Sequence, residues 1–155
     1  MLLTLCLGFA ATGQTVKVIN SSVQSWSGGV AGRSGDNYEF RIIFSGYTKM
    51  PLPDTIWIGN EPMPIYIADS GVIEEANTIR YRRKNAVIYE VHTGTQKFEE
   101  NPNYAHNPLN ERYAATARPP INYKGMGLLS YYYDGKHYYY QIPRIMHSLP
   151  PISYP

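Results

Sequence analysis

The chain has 155 residues and a formal charge of +2, with acidic and basic side chains interspersed along its length. That length supports one domain with a real core rather than two. So small and dispersed a charge leaves no phosphate-binding footprint, and nucleic acid is not an expected partner.

Met1 to Ala11 are apolar and uncharged and run into Thr12-Gly13 before Gln14. An apolar run of this length ending at small residues has the pattern of a secretory signal peptide, residues 1–13, which makes 14–155 a single mature domain. The run is shorter than the roughly 20 residues of a membrane span, and no later stretch qualifies, so association with a membrane is expected to be peripheral at most. Cys6, the only cysteine, falls in this leader. Packing, not a disulfide, is expected to hold the domain together.

Short alternating runs follow, each bounded by Gly, Pro, Asn or Asp: Thr15 to Ile19, Tyr38 to Phe44, Thr55 to Ile58, Met63 to Ile67, Thr78 to Arg82 and Ala86 to His92. In the second of these Tyr38, Phe40, Ile42 and Phe44 share one face, the mark of a strand with a buried side. Between the first two runs lies Ser25 to Asp36, rich in glycine. It has no Gly-Lys-Ser/Thr and leads into a strand rather than a helix, so it reads as a strand connection and not a phosphate cradle. Arg80 and Arg82 fall on one strand face, with Arg83 and Lys84 entering a turn; a solvated strand end accounts for them.

From His92 to Ile121 the alternation stops, a connection far longer than usual. One short helix is expected in it, with Asn107 as N-cap, Pro108 at the first position, and a stop before Arg118-Pro119. Next comes the strongest local signal, Leu128 to Ile142, in which Asp134-Gly135 is the preferred type I′ turn and fixes the register. Tyr133 then opposes Lys136, Tyr131 opposes Tyr138, and Leu129 opposes Tyr140. One face carries Leu129, Tyr131, Tyr133, Tyr138, Tyr140 and Ile142 and is assigned to the core. The other carries Leu128, Ser130, Tyr132, His137, Tyr139 and Gln141 and is assigned to solvent. The tail after Pro143 reads as extended chain lying along the domain. These elements predict an all-β fold: a single antiparallel β-sandwich of about seven or eight strands, immunoglobulin-like in shape.

Tyrosine is the outlier in composition, at 15 against 4 Phe and 2 Trp. Its ring packs while its hydroxyl stays wet, which suits both half-buried strands and binding surfaces. The candidate binding residues are therefore Tyr132, His137 and Tyr139 on the outer hairpin face, with Trp57 on its own strand and Trp26 beside the glycine loop. The four histidines show no His-x-His or His-x-x-x-His spacing, and no calcium-loop run is present, so no metal site and no cofactor are expected. Gly-x-Ser-x-Gly is absent, and Glu74-Glu75 and Glu99-Glu100 are neighbours in loops. No catalytic residue is assigned.

Trp26 to Gly32 followed by Asp36-Asn37-Tyr38, the strand Asp54 to Gly59, the block Tyr123 to Tyr131 and the Tyr154-Pro155 end together resemble small exported proteins of Bacteroidota-type bacteria. The resemblance implies a periplasmic, outer-membrane-associated or secreted home and carries over no activity. The reading that results is an exported, non-catalytic binding or accessory protein of the cell envelope, with an envelope protein as partner. The rival is a carbohydrate-binding module or weak glycosidase that holds a glycan on exposed aromatic residues.

Overall fold

The computed structural model describes residues 13–28, 33–67, 76–98 and 118–155. The apolar leader at 1–12, the centre of the glycine-rich connection and the expected Asn107 helix lie outside the described residues. The described residues form nine strands: β1 (Thr15–Gly28), β2 (Arg33–Ser45), β3 (Leu52–Ile58), β4 (Glu61–Pro64), β5 (Thr78–Arg83), β6 (Ala86–Phe98), β7 (Gly127–Tyr133), β8 (Lys136–Ile142) and β9 (His147–Tyr154). They make two sheets, one of five strands in the order β5-β6-β2-β1-β9 and one of four in the order β4-β3-β7-β8. The all-β sandwich is as expected. Among the described residues there are nine strands rather than seven or eight, because the tail adds one.

The alternation in β2 does what its pattern implies. Phe40 and Ile42 are fully buried and Phe44 nearly so, against Tyr89 and Val91 from β6 and Ile56, Leu129 and Ile142 from the smaller sheet. Each such side chain contributes roughly 1.5–3 kcal/mol on burial. The sheets meet through an aromatic edge, Phe44 lying 5.0 Å from the Tyr131 ring at 70°, and within its own sheet Phe44 meets Tyr89 at 5.7 Å and 88°. Tyr89 is wholly buried, and its hydroxyl donates to the Pro51 carbonyl at 2.6 Å.

The two sheets differ in length, and that difference shapes the molecule. β1, β2 and β6 run 13 or 14 residues, whereas no strand of the smaller sheet exceeds 7. On the inward face the apolar residues stop at Tyr38 and Val23, and Ser25, Ser27, Ser34, Asp36 and Thr95 take their place. Ser25 Oγ donates to Asp36 Oδ1 at 2.7 Å there. The inward face of the distal half of the large sheet is thus polar.

The tail departs from the expected antiparallel order. β9 pairs in parallel with β1, from Ser22↔His147 to Gly28↔Tyr154. Pro150 and Pro151 lack the N–H a ladder needs, and they fall at the register shift between Gln24 and Trp26, on an edge where prolines are tolerated. Gln24 Nε2 donates to the Pro150 carbonyl at 2.9 Å, and the buried Ser21 Oγ accepts from the Met146 backbone N–H at 3.0 Å to start the strand.

The β7–β8 hairpin has the expected register throughout. Asp134 and Gly135 sit at φ 49° and 74°, as a type I′ turn requires. Its faces are less cleanly divided. Leu129, Tyr131 and Ile142 are buried as assigned, but Tyr138 is exposed, and on the supposedly wet face Leu128 and Ser130 are buried. The reason is β3, which pairs with β7 and sets Trp57 opposite Leu128 and Thr55 opposite Ser130.

Candidate functional site

The outer face of the four-stranded sheet gathers most of the expected binding residues. Tyr132 and His137 are direct cross-strand partners, and their rings stack at 4.2 Å with planes 3° apart. Tyr139, two residues along β8, tilts against His137 at 5.0 Å and places its hydroxyl 3.3 Å from Nδ1. On the other side of the ring, His137 Nε2 lies 3.3 Å from Asp54 Oδ1. Both imidazole nitrogens are therefore engaged, which fixes the ring plane and with it the Tyr132 stack.

Asp54 was not singled out from the sequence, where it is one carboxylate among twelve acidic residues at the head of a short strand. It owes its place to a β-bulge: the β3–β7 register shifts between Pro53 and Thr55, and Asp54 occupies the irregularity. The same Oδ1 accepts 2.8 Å from Ser130 Oγ, whose residue is 2% exposed. Serine, aspartate and histidine meet here without the geometry of a nucleophile, because the serine hydroxyl donates to the carboxylate and not to the imidazole. The trio is a clamp. Leu52, the cross-strand partner of Tyr132, is 44% exposed and Tyr132 46%, so an apolar pair stands outward beside the clamped histidine. Tyr66, just beyond β4, adds another exposed ring at 54%.

Trp57 shares this face but lies farther along it, opposite Leu128, two rows from the Tyr132 pair at about 7 Å per row. It is half-buried. Tyr123 donates from its hydroxyl to the Trp57 and Gly59 carbonyls, and burial holds that phenol above its ordinary value.

Trp26 does not join the group. It lies on β1 with its cross-strand partner Gly35 on the outward face of the five-stranded sheet, the opposite side of the sandwich. Trp26 and the outer hairpin face therefore do not form one surface. Trp26 instead meets Tyr154 of β9 edge-on at 6.4 Å and 68°.

No family model matches the chain, and no curated protein and no solved structure matches it either. The case for a function rests on the geometry of these faces. Among the described residues no three His, Cys, Asp or Glu side chains gather in a way that would hold a metal ion.

Proposed function

We propose that this chain is an exported, non-catalytic binding protein of the cell envelope that docks a protein partner on the outer face of its four-stranded sheet. The observation that carries the reading is the Tyr132–His137 stack: rings 4.2 Å apart and nearly parallel, fixed by hydrogen-bond partners at both imidazole nitrogens, with Tyr132 still 46% exposed. A large amphipathic ring held in place before binding gives up little conformational entropy on docking. Leu52 beside it supplies apolar area, and Tyr139 supplies a polar rim. The leader-like pattern of residues 1–13 supports export, and the low dispersed charge favours a protein partner over a polyanion.

Affinity capture from gently solubilised envelopes of the host tests the proposal. Tagged wild-type protein is expected to retain a stoichiometric partner, and the Tyr132→Ser/Tyr139→Ser variant, with an unchanged melting temperature, is expected to lose it. Recovery of the tagged protein alone, or a partner indifferent to the double substitution, overturns the reading.

A further inference from the structure

The geometry points to a second, separate site: a trough for a neutral oligosaccharide across the outward face of the distal half of the five-stranded sheet, with Trp26 and Tyr154 as its aromatic corner. Two open depressions, of about 420 and 390 Å³, adjoin there and share Asn37. Each falls within the roughly 300–1,000 Å³ of small-molecule sites, and two in line match a chain of linked rings better than a single compact ligand.

The floor is low because glycine stands where side chains would rise. Gly94 lines the inner depression. At Gly35 a Cβ would fall 2.8 Å from Trp26 Nε1 and 2.9 Å from Cε2, so the indole lies directly over the β2 backbone. Tyr154, half exposed, meets that indole edge-on and closes one end. Along the remaining length stand an amide, a carboxylate and an imidazole: Asn37, Glu39 and His92. Among the described residues Asn37 and Glu39 make no side-chain hydrogen bond or ion pair, and His92 has only Glu90 at 3.9 Å. Gln24, by contrast, is already spent on Pro150.

An aromatic corner beside planar groups with open hydrogen-bonding capacity is what a sugar ring requires. Its C–H face packs on an indole or phenol, and its rim of hydroxyls both donates and accepts. A carboxylate with no partnering cation opposes a phosphorylated or sulfated chain. A peptide would add along a sheet edge and make backbone ladders there, whereas this trough crosses the face of paired strands.

Trp26 and Trp57 are the only two tryptophans, so Trp57→Phe leaves Trp26 as the sole indole reporter. This protein is titrated with cellohexaose, xylohexaose, mannohexaose and chitohexaose, following indole emission and backbone amide shifts. At least one sugar is expected to give a saturable change in emission with shifts at Gly35, Asn37 and Gly94. Asn37→Ala, at an exposed position, is expected to weaken that response about tenfold, and Tyr132→Ser to leave it alone. No saturable response from any of these sugars overturns the proposal. So does a response that Asn37→Ala leaves unchanged, which would place the sugar elsewhere. Either failure leaves the docking face on the other sheet untouched, because no residue is shared between the two.

Discussion

Replacing Asp54 with alanine removes the clamp and leaves the rings. Its Oδ1 accepts a charge-assisted hydrogen bond from Ser130 at 2.8 Å and lies 3.3 Å from His137 Nε2. Hydrogen bonds to charged groups contribute about 1.5–3 kcal/mol. Two features pull Asp54→Ala to the low end of that range. The carboxylate side chain is 34% exposed, so water replaces part of what is lost, and Ser130 Oγ keeps the Thr55 carbonyl at 3.3 Å. The expected cost is about 1.5 kcal/mol, or a fall in melting temperature of about 5 °C for a domain of this size. A double-mutant cycle with Ser130→Ala, followed by urea denaturation, isolates the pair, and a coupling of about 1 kcal/mol is expected. The His137 ring signals should also move toward those of a freely rotating imidazole, and affinity for the partner should drop with them. A coupling below about 0.3 kcal/mol, or an unchanged His137 environment, would refute the idea that Asp54 organises this face.

Other perturbations bear on the frame that holds the two faces. Tyr89→Phe strips the donor from the buried Pro51 carbonyl, and a loss of about 2 kcal/mol is expected by denaturant titration; a neutral result would mean that carbonyl finds another partner. Gly35→Ala places a Cβ 2.1 Å from the Thr95 carbonyl and against the Trp26 indole, so a cost of about 3 kcal/mol is expected, with amide exchange accelerated in the distal parts of β2 and β6. Stability should also fall at alkaline pH. Burial raises the phenols of Tyr131, Tyr89, Tyr38 and Tyr123 above their ordinary value of 10.0, and the Tyr47 hydroxyl at 3.1 Å adds to the effect at Tyr131. The folded state thus favours the protonated phenols; their stabilisation is intact below pH 10 and is lost as pH rises through the folded values. Denaturation midpoints measured across that boundary should decline, and a flat profile would contradict the assignment.

What the sequence made legible was local and regular. Asp134-Gly135 sets the hairpin register by turn geometry alone, so every cross-strand partner in β7 and β8 was readable. Tyr38 to Phe44 announced their buried face by period two. Features that depend on a non-local partner stayed hidden. Leu128 and Ser130 fall on the face assigned to solvent and are buried by β3 beside β7, and Asp54 reaches Ser130 through a bulge that no residue pattern marks. The tail was legible as extended chain but not as a paired strand, because its pairing depends on β1, and Pro150-Pro151 are tolerated only at the sheet edge it occupies. The length of β1 and β2 was hidden because their distal halves are polar on the inward face, which leaves no apolar alternation to read. Trp26 stood out as a candidate in the sequence but its surroundings did not, since a tryptophan over a cross-strand glycine leaves no periodic signature.

We propose the clamped aromatic face of the four-stranded sheet as the place where a partner docks. A photo-crosslinking amino acid placed at position 132, with a second protein carrying it at the exposed position 81 of β5, tests this most directly in living cells of the host. One discrete adduct is expected from position 132, none from position 81, and loss of the adduct when Asp54→Ala is introduced alongside. No adduct from position 132, or equal adducts from both positions, would contradict it.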